Sequence, residues 1–237
     1  MPGMSDARPA FSPPLFGFLV LSVVHLVAQL VDGEAVAAGT QMVLMPLLAW
    51  LLLVRGVAAP QRLVQWALAA LFFSWLGDSL PRFATGDTAF LLMVGGFLLA
   101  QCCYVVGMWS WRSRSVLRQP ARVAPYAVAL VVLLALLVPG AGVLAPAVVL
   151  YGLALTATGV LATGLGRLAG LGGALFMVSD SLIAIAAFRD WELPAHDALV
   201  MLTYLLAQLF LVVGVINARS VQSSTGRPAA KSRNQAA

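Results

Sequence analysis

Gly77-Asp78-Ser79-Leu80 ends one apolar run of this chain, and Ser179-Asp180-Ser181-Leu182 stands in the middle of another. The phrase Asp-Ser-Leu thus occurs twice. Each time it puts a carboxylate beside a hydroxyl in sequence that otherwise reads as membrane-spanning. An ionisable side chain at such depth is costly unless it meets a polar cavity or a partner, which marks both aspartates as functional candidates.

The surrounding composition fixes the class. The 237 residues are 61% hydrophobic and only 10% charged. A soluble domain of this size normally draws about 25% of its residues from the charged types. The chain is therefore expected to be all-α and polytopic, an integral protein of a bacterial-type plasma membrane. Eight spans are expected, at about 15–31, 36–54, 63–80, 89–109, 123–138, 143–163, 168–188 and 198–216. Each lies near the roughly 17–25 residues that a crossing helix needs. Residues 1–14 read as a cytoplasmic tail and 217–237 as a basic, disordered one. The first apolar run, with Ala35–Ala38 after it, is read as a span and not as a leader, because the repeat described below requires it.

Charge placement orients the spans. With both termini cytoplasmic, every one of the 14 basic residues except Arg82 and Arg189 falls on the inner side. Asp32, Glu34, Asp87, Asp190, Glu192 and Asp197 all fall outside. That asymmetry is the positive-inside pattern. It accounts for the net charge of +5 without nucleic acid, which is not expected as a partner. Trp109 and Trp111 mark an inner boundary and Trp191 an outer one. The adjacent Cys102 and Cys103 have neither disulfide nor metal spacing and read as small apolar side chains. No metal is expected.

The fourth and eighth spans also match. Leu98-Leu99-Ala100-Gln101 precedes Val105-Val106-Gly107, and Leu205-Leu206-Ala207-Gln208 precedes Val212-Val213-Gly214 at identical spacing. Two matched pairs in the same order suggest a duplicated four-helix unit, with halves at about 15–109 and 123–216. Four spans return the chain to its starting side, so the repeats would be parallel. A pseudo-two-fold axis would bring Asp78 and Asp180 to opposite walls of one cavity, with Gln101 and Gln208 from neighbouring helices. By helix rise Asp180 lies roughly 12 Å below the outer end of its span, and Asp78 nearer to it. Ser79 and Ser181 point about 100° away from the aspartates and read as supporting or backbone-bonding hydroxyls. Tyr104 and Tyr204 stand one turn from Gln101 and Gln208 on the same faces. His25 reads as a packed polar residue and His196 as a solvated one. The letters of Gly77–Leu80 spell a hydrolase signature that belongs after a strand in soluble α/β proteins. Here they close a helix, so that match is accidental. Gly164–Gly173 is no dinucleotide loop, since no strand precedes it, and reads as small residues for close packing.

These residues carry a resemblance. Gly77-Asp78, Gly96-Phe97 with Tyr104, the block Gly173-Ala174-Leu175-Phe176-Met177-Val178-Ser179-Asp180-Ser181, and Tyr204 with Gln208 resemble the YhhN family of eight-span membrane proteins. The likeness extends over about residues 15–216. Characterised members of that family are lysoplasmalogenases. The chain departs from the family pattern at Met45-Pro46, where Lys-Pro is common, and at Gln101, where a histidine is common. The resemblance implies hydrolysis of the vinyl ether of a lysophospholipid to a fatty aldehyde and a glycerophospho-headgroup, with no cofactor. A vinyl ether yields to acid, through protonation of its β-carbon and capture of the oxocarbenium ion by water. Two carboxyl groups, one protonated and one ionised, suit this as they suit glycoside hydrolysis. A low-dielectric site favours the neutral carboxylic acid. The expected catalytic pair is Asp180 as acid and Asp78 as base or cation stabiliser, with the reverse assignment open. Gln101, Gln208, Tyr104, Tyr204, Ser79, Ser179 and Ser181 are the expected substrate-binding residues. A lipid or small-molecule transporter, or an inactive relative, is the alternative. Headgroup, chain length and oligomeric state are left open.

The charge pattern yields a direct test. A reporter fused after Ala237 should read cytoplasmic; an extracytoplasmic signal would reverse the orientation.

Overall fold

The computed structural model describes residues 12–189 and 191–218. Eight α-helices follow one another: α1 (Pro13–Leu30), α2 (Glu34–Arg55), α3 (Gln61–Ser79), α4 (Gly86–Met108), α5 (Pro120–Ala141), α6 (Ala145–Ala162), α7 (Arg167–Arg189) and α8 (His196–Asn217). No strand occurs among the described residues. Of the expected tails, 1–14 and 217–237, residues 1–11 and 219–237 lie outside them, while Pro13 and Pro14 belong to α1 and Asn217 to α8.

Among the described residues seven helical stretches, not the expected eight, are long and apolar enough to cross a membrane. The difference lies at 120–165, a continuous stretch of 46 residues that holds both α5 and α6. No polar loop separates the two, only the 3₁₀ turn Gly142–Leu144, which Gly142 enters at φ +50°. Glycine alone takes that backbone region without penalty. The stretch folds back on itself there. Tyr126 in α5 lies against Gly159 in α6, and Leu130 and Leu134 against Gly152, so α5 and α6 run antiparallel.

Local chemistry explains the helix boundaries. Pro13, Pro120 and Pro146 sit in first turns, where the missing N–H costs nothing. Glu34 opens α2 and Arg55 closes it, each complementing the helix dipole. Pro46, inside α2, leaves the carbonyl of Met42 without its helical donor. The Trp75 indole of α3 donates to that carbonyl at 2.9 Å. The break in α2 is therefore what fastens it to α3.

The bundle is apolar outside and carries its polar side chains within. Val23, Leu30, Val57, Val131 and Val132 are exposed, while His25, Ser74, Gln101, Thr158 and Gln208 are fully enclosed. Such an inversion fits helices whose surroundings are hydrocarbon. α3 packs closely on α4 and α7 on α8, and a single core spans both halves of the chain. Small residues make the approaches possible. A Cβ on Gly96 would stand 2.7 Å from the Gly77 backbone, and one on Gly173 2.8 Å from Gly159. α5 is peripheral, with only Leu137 and Ala141 buried.

Neighbouring glycines in α4 separate crowding from helix propensity. Gly96→Ala forces backbone apart and should lower stability in detergent by about 1–3 kcal/mol. Gly95→Ala, with nothing within 4 Å of the added methyl, should leave the melting temperature unchanged or raise it.

Candidate active site

Asp78 lies in the last turn of α3 and Asp180 in the middle of α7. Their exposures are 8% and 6%, so each must find donors inside the protein. Tyr204 of α8 donates its hydroxyl to Asp78 Oδ2 at 2.7 Å. Gln41 of α2 donates Nε2 to Asp78 Oδ1 at 3.1 Å. The other end of the Gln41 amide accepts a hydrogen bond from Arg82. Tyr151 of α6 donates to Asp180 Oδ2 at 2.5 Å. Each carboxyl group thus holds one tyrosine, and the two tyrosines come from different helices.

Both aspartates line one cavity of about 610 Å³. Its walls come from α2, α3, α4, α7 and α8, and Tyr204 and Ser179 also border it. Gln41, Arg82, Glu192, His196 and Asp197 make its mouth polar. The mouth lies at the end of the bundle that carries the α1–α2, α3–α4 and α7–α8 connections. Asp180 also borders a second, apolar recess between α4, α5, α6 and α7, lined by Phe90, Leu133, Leu137, Val148, Tyr151 and Ile183 among others. Phe90, Met93, Phe97, Asp180 and Ile183 belong to both spaces. A polar compartment and an apolar one therefore meet at Asp180.

Of the other expected binding residues, all but Tyr204 and Ser179 lie behind this surface. Tyr104 donates to Gln208 Oε1 at 2.6 Å, and Gln208 Nε2 donates to Ser74 at 2.9 Å. Gln101 is fully enclosed, and its amide atoms have no hydrogen-bond partner of ordinary geometry. Tyr104, Gln101 and Gln208 line neither space. Ser179 donates to the Val200 carbonyl at 3.1 Å and Ser181 to that of Met177 at 2.6 Å. The Ser79 hydroxyl is buried without a partner. Phe97, Phe176 and Tyr204 stack edge to face in a cluster, with centroids 5.6–6.4 Å apart, which steadies the ring that reaches Asp78.

Tyr151, Gln41 and Arg82 carry no local signal in the sequence. Their link to the aspartates is made by the fold, across 29 residues for Tyr151 and 37 for Gln41. His25 is enclosed and bonded through Nδ1 to Thr40 at 2.8 Å and to the Ala37 carbonyl at 3.1 Å. A carbonyl only accepts, so Nδ1 carries the hydrogen and Nε2 faces the Gln29 amide. His196, expected in solvent, is half-buried at the cavity mouth, with Nδ1 enclosed and unpartnered. Among the described residues no three His, Cys, Asp or Glu side chains converge as a metal site requires.

Fold and site together define a polytopic helical protein with apolar outer faces and two tyrosine-bonded carboxyl groups at one internal cavity. The chain belongs to the YhhN family, whose model matches residues 36–215. No curated protein matches it, and no solved structure does.

Tyr104 and Gln208 separate scaffold from chemistry. Tyr104→Phe leaves the Gln208 oxygen buried without its donor and should cost about 1–2 kcal/mol, a measurable fall in thermal midpoint in detergent. Ligand binding in the cavity should survive below that midpoint.

Proposed function

We propose that this protein hydrolyses the vinyl ether bond of a lysoplasmalogen. The observation that carries the reading is the pair Asp78 and Asp180 on one cavity, with Asp180 where polar and apolar compartments meet. Membership of a family that includes lysoplasmalogenases supports it. The substrate has the same two parts: a glycerophospho-headgroup and a hydrocarbon chain, joined through the bond that breaks.

In this reading the chain enters the apolar recess and the headgroup stays in the polar cavity. The vinyl ether then lies across Asp180, whose carboxylic acid protonates the β-carbon. The double-bond electrons form the new C–H bond, and the ether oxygen shares the resulting positive charge. Asp78 lies on the wetter side. Its carboxylate takes a proton from a water molecule as that water's oxygen adds to the cation. The hemiacetal then loses its hydroxyl proton to Asp180 while the glycerol oxygen takes one from Asp78. An aldehyde and an alcohol leave, and both carboxyl groups return to their starting forms. Tyr151 and Tyr204 hold their carboxyl oxygens in place and leave the second oxygen of Asp180 free to act.

The duplicated architecture is part of the same proposal. Phe97 and Tyr204 stand four residues before Gln101 and Gln208, and their rings meet at 5.6 Å. Matched positions in contact are what a pseudo-two-fold axis through the bundle requires. Both termini are placed in the cytoplasm on the charge pattern, which sets the cavity mouth at the outer face.

The test uses purified protein in detergent with lysoplasmenylethanolamine, and reads aldehyde release. Asp78→Asn and Asp180→Asn keep shape and remove proton chemistry. Each should lower turnover by at least about 10²-fold with folding intact. The double variant should lose much less than the product, because the two groups act as a unit. Full turnover in Asp180→Asn would sink the mechanism. Substrate uptake into vesicles without aldehyde would point to transport instead.

A further inference from the structure

We propose that Arg82 is the phosphate-reading residue of this site, and that Gln41 ties its position to that of Asp78. The inference deepens the hydrolase reading above, on which its placement of the lipid rests.

Arg82 follows α3 by three residues, in the 3₁₀ turn Leu80–Phe83, and is exposed to the cavity mouth. Arg82 donates through Nη2 to Gln41 Oε1, and Gln41 donates through Nε2 to Asp78. A single amide group therefore separates the guanidinium from the carboxyl group. A guanidinium has five N–H donors in a planar fork. One is held by Gln41, its one hydrogen-bond partner among the described residues. The rest of the fork is available to an anion, and bidentate pairing with phosphate oxygens is the strongest use of it.

The electrostatics of the mouth make the assignment specific. Asp78, Asp180, Glu192 and Asp197 all line the cavity, with His196 beside them. Among its described lining residues, Arg82 is the one permanent cation. A phosphate-bearing ligand entering past Asp78, Glu192 and Asp197 finds a fixed positive charge at Arg82 among the described lining residues. The proposal also sets a register for the lipid. A lysophospholipid separates its phosphate from its sn-1 ether oxygen by the three carbons of glycerol. With the phosphate on Arg82, the ether falls at the carboxyl groups and the chain points to the recess beyond Asp180. Arg82 thus acts on register: it selects substrates that carry phosphate and sets the cleavable bond at the right depth.

The experiment uses ligands that lack the cleavable bond. Full-length protein in a maltoside detergent is titrated with 1-O-hexadecyl-glycerophosphocholine, with 1-O-hexadecylglycerol, and with inorganic phosphate as competitor. Wild type should bind the phospholipid about ten- to a hundredfold more tightly than the alcohol. Arg82→Gln should bring the two affinities together by weakening the first only, and Arg82→Lys should restore part of the gap. Phosphate should compete at millimolar concentration in wild type and not in Arg82→Gln. With lysoplasmenylethanolamine, Arg82→Gln should raise KM far more than it lowers kcat. A phosphate preference that survives in Arg82→Gln, or none in wild type, would overturn the assignment. Inorganic phosphate binding as tightly as the phospholipid would overturn the lipid register. Because the titration involves no hydrolysis, a protein that releases no aldehyde yet keeps Arg82-dependent binding would refute the hydrolase reading and leave the subsite standing.

Discussion

A carboxyl group enclosed in an apolar bundle must be met by donors, and here the donors dictate which helices touch. Asp78 draws Tyr204 and Gln41 to itself, which brings α8 and α2 against α3. Asp180 draws Tyr151, which brings α6 against α7. Such bonds in membrane proteins contribute on average only about 0.6 kcal/mol each. Stranding a buried polar group costs more, about 1–3 kcal/mol and higher for a charge. The tyrosines therefore contribute little to net stability and much to where the carboxyl oxygens stand. The fold is held by apolar packing and glycine approaches, and the polar layer fixes its register.

The two sequence-matched segments satisfy this constraint differently, and lining them up on Asp78 with Asp180 and on Gln101 with Gln208 shows why. Ser74 stands four residues before Asp78, and at the same place before Asp180 stands Phe176. Tyr104 stands three after Gln101, and three after Gln208 stands Leu211. Gln208 is thus bonded by both Tyr104 and Ser74, while the positions that would serve Gln101 are apolar. Likewise Tyr204 reaches Asp78, but its counterpart Phe97 has no hydroxyl for Asp180, which takes Tyr151 from α6 instead. One carboxyl group ends up beside the polar mouth and the other beside the apolar recess. Two identical halves would have placed both in the same environment.

The same contrast explains what could be read from the chain. Long apolar runs with basic residues at alternate ends show helices and their limits, and a charged residue inside such a run shows itself. Asp78 and Asp180 were legible for that reason. The α5–α6 hairpin blurs the span count because its reversal uses glycine and apolar residues, so hydropathy never falls between the helices. Tyr151 was not legible, since a tyrosine in a span is ordinarily packing and only the docking of α6 on α7 gives it a carboxyl partner. Gln101 and Gln208 looked alike because their own segments are alike. Their difference lies in helices elsewhere in the sequence.

Met45 and Pro46, where the resemblance leads one to expect Lys-Pro, show how the proline is used. Pro46 remains, and the carbonyl that it frees on Met42 takes the Trp75 indole. That bond pins α2 to α3 at the residue next to Gln41, whose amide reaches Asp78. A lysine at position 45 would lie on the same face of α2 as Gln41, four residues on. Methionine there is 1% exposed and belongs to the core, so this face carries no cation. The positive charge of the site stands instead on Arg82, beyond Asp78 and joined to α2 by the same glutamine. Placing the cation at the cavity mouth and not in the bundle interior spares the core a buried ammonium, a costly group to desolvate. It also puts the charge at the polar mouth of the cavity, while Asp180 keeps an apolar neighbourhood.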